Sequence, residues 1–223
     1  MNNRKNIYIR LGSFFITIIT TIVIALAQGQ HFWIERTKES VSKDSINIQN
    51  HLKQIQKKDS ISVLFSPDDP IAEILIYLIE NEKTKIEIAI FTFTDSLISN
   101  ALINAINRGV VVEIVGDRSN ILDQYSKFDL LYQHGATIYC YNTQWAGRKR
   151  TSIMHHKFII FYNTLEHESV IWTGSFNFTK SARQVNQENA VIIKRKEIIK
   201  LFETQFQILK SRSFFYKPCF IAQ

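Results

Sequence analysis

From Ser60 onward the chain alternates short apolar runs with amphipathic stretches of helical period, and that rhythm restricts it to an α/β architecture. "ISVLF" reads as a strand and ends at the turn "SPDDP"; Asp69-Pro70 then opens a helix with an apolar stripe at Ile71, Ile74, Leu75, Leu78 and Ile79. "KIEIAIFTF" first alternates and then becomes continuously apolar, as a buried central strand does. Asp95 or Ser96 caps a helix through Leu97, Ala101, Leu102, Ala105 and Ile106, with Gly109 as its stop. "VVVEIVGD", a helix around 121–134 ending at Gly135, and "TIYCY" follow. "HHKFIIFY" and "SVIWTG" read as adjacent strands, "ENAVII" as the last strand, and 197–210 as a closing helix through Ile198, Leu201, Phe202, Phe206 and Leu209. The expectation is one α/β domain, residues 61–212, with a mixed, mostly parallel sheet flanked by helices on both faces.

The N-terminus reads as targeting. Leu11–Ala27 is 17 residues without a charge, preceded by Arg4, Lys5 and Arg10. It is long for a signal h-region and slightly short for a spanning helix. Ala25-Leu26-Ala27 offers a cleavage site, whereas Phe32 and Trp33 suit the interfacial belt of a retained anchor. Residues 1–34 are therefore a signal peptide or a membrane anchor, and the preceding positive charges place the remainder outside the cytoplasm in either case. Residues 35–60 read as a polar stalk or short helix with a weak apolar series at Ile48, Leu52 and Ile55, and 213–223 as a tail.

Formal charge is +7; the three N-terminal cations account for three of these, leaving +4 for the rest. That suits a polyanionic substrate or an anionic membrane without requiring either. Cys140 and Cys219 show no zinc spacing and could pair if exported or stay separate buried thiols. The loop 142–152, with Arg148, Lys149 and Arg150, follows a strand and is either a solvated connection or a rim of the site.

His155 and Lys157 are two apart, so on a strand they share a face, while His156 points away. The Gly174-Ser175-Phe176-Asn177 turn offers backbone N–H groups, a hydroxyl and a carboxamide. Imidazole, ammonium, hydroxyl and amide together suit a tetrahedral phosphate. Glu188 could hold an imidazole in one tautomer.

The order His155-x-Lys157, Gly174-Ser175-x-Asn177, Glu188-Asn189 resembles the phospholipase D superfamily, in its single-motif branch of Nuc-type bacterial endonucleases and mitochondrial cardiolipin hydrolases. "FSPDD", "IAIFTFTD", "INRGV" and "VEIVGDRSN" extend the likeness, which runs from about Ser62 to Leu209. The resemblance implies a phosphodiesterase in which His155 is the nucleophile, Lys157, Ser175 and Asn177 bind the phosphate, and Glu188 orients His155. It implies no metal and no cofactor, and a homodimer sharing its active site, since this chain carries one motif. The substrate is phospholipid or nucleic acid. The family pattern His-x-Lys-x₄-Asp is broken here by Tyr162, expected on the face opposite His155 in a supporting role. That departure keeps open a non-catalytic polyanion-binding member of the fold.

Overall fold

The computed structural model describes residues 47–57, 60–141 and 152–218. Segment 11–27, loop residues 142–151 and Cys219 lie outside them. Among the described residues no helix is long and apolar enough to cross a membrane.

The strands are β1 (Ile61–Phe65), β2 (Lys85–Ile90), β3 (Val111–Asp117), β4 (Thr137–Tyr141), β5 (Lys157–Phe161), β6 (Val170–Gly174), β7 (Asn189–Ile193) and β8 (Ser213–Phe215). They form one sheet in the order β1-β7-β6-β5-β2-β3-β4-β8. The α/β class and the mixed sheet are as expected. Parallel pairing, however, is confined to β2–β3 and β3–β4, and the other neighbours are antiparallel. The physical reason lies in the connections. Helical crossovers join β2, β3 and β4, whereas β5 and β6 are linked by a short loop that permits only an antiparallel hairpin. That hairpin and β7 insert between β1 and β2.

Helices α2 (Ile71–Asn81), α3 (Ser96–Asn107), α4 (Arg118–Ile121) and α5 (Phe128–Gln133) follow in chain order, then α6 (Lys180–Gln184) and α7 (Lys196–Ser211). The α2 stripe read from sequence is buried in full. The single helix expected around 121–134 is instead two pieces. Asp117 caps α4, and Asp123 and Ser126 turn the chain by accepting from the Tyr125 and Phe128 amides. In α7 the inward stripe is Ile199, Phe202, Phe206 and Leu209, and Leu201 is exposed. Both domain edges move outward from the sequence boundaries. A helix over 47–55, designated α1, buries Leu52 and Ile55 in the core, and β8 adds to the sheet what the sequence left as tail.

Each sheet face has its own core. Ile86, Ile88, Ile90, Ile114, Ile159, Phe161 and Trp172 pack with α2, α3 and α5. Ala89, Val115, Phe158, Ile160 and Ile171 pack with α7. The strict period of two lets one strand serve both. Cys140 is buried, and burial pushes its thiol up to about 11.

The α7 face also carries a polar network. Lys85 pairs with Glu87 at 2.7 Å and Glu113 at 2.6 Å, and Lys210 reaches Glu113 at 2.6 Å. Tyr162 donates its hydroxyl to Glu87 at 2.7 Å, and Tyr139 donates to Glu113 at 3.1 Å. The Glu87 side chain is 1% exposed, and its carboxylate is surrounded by hydrogen-bonding and cationic partners, the condition for burying one. Burial and the adjacent Glu87 carboxylate hold the Tyr162 phenol far above its ordinary value, so it is neutral and donating.

Tyr162→Phe should therefore destabilise the domain by about 1.5–3 kcal/mol, the usual loss for a hydrogen bond to a buried charge. Tyr162→Asp, which restores the acid of the resembling pattern, should be worse, since it sets a second carboxylate against Glu87. Urea denaturation of the three proteins checks the order; an aspartate variant as stable as wild type would show that Glu87 does not need the phenol.

Candidate active site

Strand register assembles the site at one end of the sheet. Ile90 lies beside Lys157, Phe158 beside Thr173, Gly174 beside Ala190, and Asn189 beside Phe65. The C-terminal ends of β1, β2, β3 and β6 and the N-terminal ends of β5 and β7 therefore meet there. His155, Lys157, Ser175, Asn177 and Glu188 all fall on these ends.

His155 sits just before β5, which begins at Lys157, so the pair is not on the strand together as the spacing suggested. The lysine nevertheless folds back onto it. Its Nζ lies 3.3 Å from Nδ1 and 3.4 Å from Nε2 of His155 and donates to the His155 carbonyl at 2.9 Å. Phe91 packs against both: its ring centroid is 4.4 Å from that of His155 and 5.3 Å from the Lys157 Nζ. Lys157 is 8% exposed, and its burial pulls the ammonium below the ordinary lysine value against the opposing influence of the Glu188 carboxylate. His156 turns to the α7 side, where its ring meets Phe158 and lies 3.4 Å from the Gln205 amide nitrogen. Burial, then the Lys157 and His155 charges, hold His156 below the usual imidazole range.

The Gly-Ser-Phe-Asn turn is shaped by a backbone approach. A Cβ on Gly174 would stand 2.1 Å from the Asn189 carbonyl oxygen, which also accepts from the Ser175 amide at 3.1 Å. Only glycine lets β6 and β7 close here. The Ser175 hydroxyl donates to Glu188 at 2.5 Å and accepts from the Asn189 amide at 3.0 Å. Asn177 accepts from the Thr92 amide at 3.3 Å through its side-chain oxygen, so its nitrogen is the end left to donate. Glu188 takes a second bond from Asn186 at 2.9 Å. Its side-chain hydrogen bonds among the described residues thus go to Ser175 and Asn186, where the sequence reading aimed it at His155.

The chain that carries this site is similar to known proteins. The "Cardiolipin synthase, PLD-like domain" family matches residues 75–210. Phospholipase D of Rickettsia prowazekii is 30% identical over 192 residues, 82% of this chain and 87% of that protein. The chain belongs to the phospholipase D-like family. The mitochondrial cardiolipin hydrolase of Chlamydomonas reinhardtii is 31% identical over 139 residues, covering 62% of this chain and 56% of that one. The crystal structure of Nuc from Salmonella typhimurium, a phospholipase D family member, superposes with a TM-score of 0.61 at 29% identity, over 71% of this chain and 99% of Nuc.

Several positioning groups of this phospholipase D-like site escaped the sequence reading. Asp117, fully buried, accepts from the Met154 amide at 2.9 Å and so fixes the chain one residue before His155. Its other oxygen caps α4 through the Ser119 amide. Asp95 caps α3 and pairs with Arg183 at 2.9 Å, tying the β2 loop to the turn that carries Asn177. The Ser66 hydroxyl accepts from the Glu188 amide at 2.9 Å. A cap signal marked Asp95, and "GDRSN" held the same signal for Asp117, but neither pattern announces the second, long-range bond. Among the described residues no group of three or more His, Cys, Asp or Glu side chains could hold a metal ion.

Gly174→Ala should cost about 3 kcal/mol through overpacking, because the atom it strikes is backbone and cannot rotate away. Thermal unfolding and phosphodiester turnover, measured together, should fall together. An alanine variant with native stability would mean that β6 and β7 can separate freely.

Proposed function

We propose that this phospholipase D-like phosphodiester hydrolase works through a covalent phosphohistidine on His155. The observation that carries the reading is the Lys157 ammonium held within 3.4 Å of both His155 ring nitrogens beside a glycine-shaped phosphate turn. A His155 nitrogen attacks phosphorus; the P–N bond forms as the bond to the leaving oxygen breaks, and a second, protonated imidazole delivers a proton to that oxygen. Water then attacks phosphorus, gives its proton to the second imidazole, and releases His155. Lys157, Asn177 and Ser175 hold the non-bridging oxygens while charge builds on them. Glu188 orients Ser175 and adds its charge beside Lys157.

The second imidazole is supplied by a second copy. Among the described residues, His51 is bonded to Asp69, His167 to Asn163, His134 ends α5, and His156 faces α7. A C₂ dimer bringing two His155 side chains together provides nucleophile and acid from identical surfaces. The N-terminal segment, as anchor or signal, puts this chemistry outside the cytoplasm. Tyr162 lies on the α7 face with Glu87, so its departure from the family pattern removes no group from the phosphate site.

His155→Ala should abolish turnover of a phosphodiester and leave the fold intact, while His156→Ala keeps most activity. Wild type quenched in mid-turnover should carry an acid-labile phosphoryl group on His155, and activity should survive EDTA. Mixing His155→Ala chains with wild type, subunit exchange confirmed, should lower activity per wild-type chain. Failure to trap the adduct in an active enzyme would refute the covalent route, and full activity in heterodimers would refute the shared site.

A further inference from the structure

One carboxylate holds the turn that leads from β1 into α2. Asp69 Oδ2 accepts from the Phe65 amide at 2.8 Å, and the Asp69 amide donates to the Phe65 carbonyl at 2.8 Å, which closes the loop 65–69 on itself. The other oxygen, Oδ1, lies 3.1 Å from Nε2 of His51 on α1, and the two side chains are only 17% and 24% exposed. Asn47 adds a bond from its side-chain amide to the Asp68 carbonyl at 3.4 Å. Inside the loop, Ser66 grips Glu188 from both sides. Its amide donates to the Glu188 carbonyl at 3.0 Å, and its hydroxyl accepts from the Glu188 amide at 2.9 Å. That hydroxyl also donates to the Asn186 carbonyl at 2.9 Å. Residues 184–187 are all exposed, so hydrogen bonds rather than packing place the chain that leads into Glu188.

We infer that Asp69 is a positioning residue for the phosphate site, and that the docking of α1, through His51, sets how tightly that site holds phosphate. The proposal rests on the phosphodiesterase reading and adds a control to it. Asp69 fixes the loop, Ser66 in the loop fixes the Glu188 backbone, and the Glu188 carboxylate receives the Ser175 hydroxyl at 2.5 Å and favours the charged form of Lys157. Ser175 and Lys157 are the phosphate-binding groups at the end of this path. The variable member is α1. It spans nine residues, too short to persist alone in water, and it is held by Leu52 and Ile55 in the core, by His51, and by the Gln56 carbonyl just beyond it, which accepts from Lys194 at 3.0 Å. Such a helix undocks at lower cost than the sheet unfolds. It also joins the domain to residues 1–46, so a pull or a cut in that connection reaches His51 before it reaches the sheet. The coupling is reciprocal: phosphate that aligns Ser175 and Lys157 in turn favours docked α1.

The test uses the full chain in detergent, with inorganic phosphate as the binding probe and bis(p-nitrophenyl) phosphate as substrate. By calorimetry, Asp69→Ala should weaken phosphate binding about tenfold and lower kcat/KM at least as far. His51→Ala should weaken binding about threefold, and His51→Gln, which keeps a donor for Asp69, should restore most of it. In a Glu188→Gln background, Asp69→Ala should add less than about a twofold loss, because the two residues act along one path. Hydrogen exchange over 47–55 in wild type should slow several-fold when phosphate is added. A lower melting temperature with unchanged phosphate affinity in both His51→Ala and Asp69→Ala would make the pair structural only and overturn the proposal. So would the full tenfold loss repeated in the Glu188→Gln background, or exchange over 47–55 that ignores phosphate. Where Asp69→Ala does not fold, His51→Ala and the exchange measurement decide. A wild type that binds phosphate but turns over no phosphodiester would defeat the phosphodiesterase reading and leave the coupling to be judged by binding and exchange; one that binds no phosphate would overturn the coupling itself.

Discussion

The antiparallel pairing of β5 with β2 is the constraint on which the rest of this structure depends. β2 begins the parallel half of the sheet and β5 begins the antiparallel half, so this one ladder joins two differently built pieces. It is pinned at both ends. At one end the Glu82 carboxylate, 1% exposed, accepts from the Lys83, Thr84 and Lys85 amides and, across the ladder, from the Asn163 amide. At the other end Phe91 packs on His155 and Lys157, and the Thr92 amide holds Asn177. Because side chains alternate across a strand, a slip of one residue would move Lys157 to the α7 face and put Phe158 where Lys157 belongs.

Much of this was legible in the sequence because it depends on period and local chemistry. The α2 stripe, the Asp95 cap and the central strands follow from residue spacing and turn signals, and the grouping of His155, Lys157, Ser175 and Asn177 from the resemblance their ordered motifs carry. What was not legible depends on strand order. Nothing in "HHKFIIFY" states that its strand lies beside β2, or that β7 separates β6 from β1. The mostly parallel expectation failed for that reason: a βαβ rhythm specifies a crossover but not what later inserts between its strands. The partners of Asp117 and Glu188 were hidden for the same cause, since Met154 is 37 residues from Asp117 and Ser175 is 13 from Glu188. The helix over 47–55 shows a smaller limit. Three apolar residues in a polar stretch read equally as stalk or helix until a core is present to receive Leu52 and Ile55.

Buried carboxylates recur wherever chain segments distant in sequence must be held together. Asp95, Asp117 and Glu82 each use one residue to satisfy a helix end or turn and, with the same carboxylate, a partner from elsewhere in the fold. Such a group is costly to bury and tolerable only when fully hydrogen-bonded, which makes each of them selective for the native arrangement. The end that holds the candidate site and the opposite end are tied by the same device, and His155 is placed through Asp117 by way of the Met154 amide.

The Tyr162 question resolves along the same line. A carboxylate four residues past Lys157 plus one would face α7, where Lys85 and Lys210 supply positive charge. In this chain acids on the neighbouring strands, Glu87 on β2 and Glu113 on β3, already meet those lysines. Glu87 needs a donor rather than a competitor, and a phenol held neutral by its surroundings is that donor. The acid has in effect been carried by the neighbouring strand, with the proton-bearing group at position 162. The substitution is therefore a matter of how the α7 face is neutralised, and Lys157, on the other face of the strand, keeps its place beside His155.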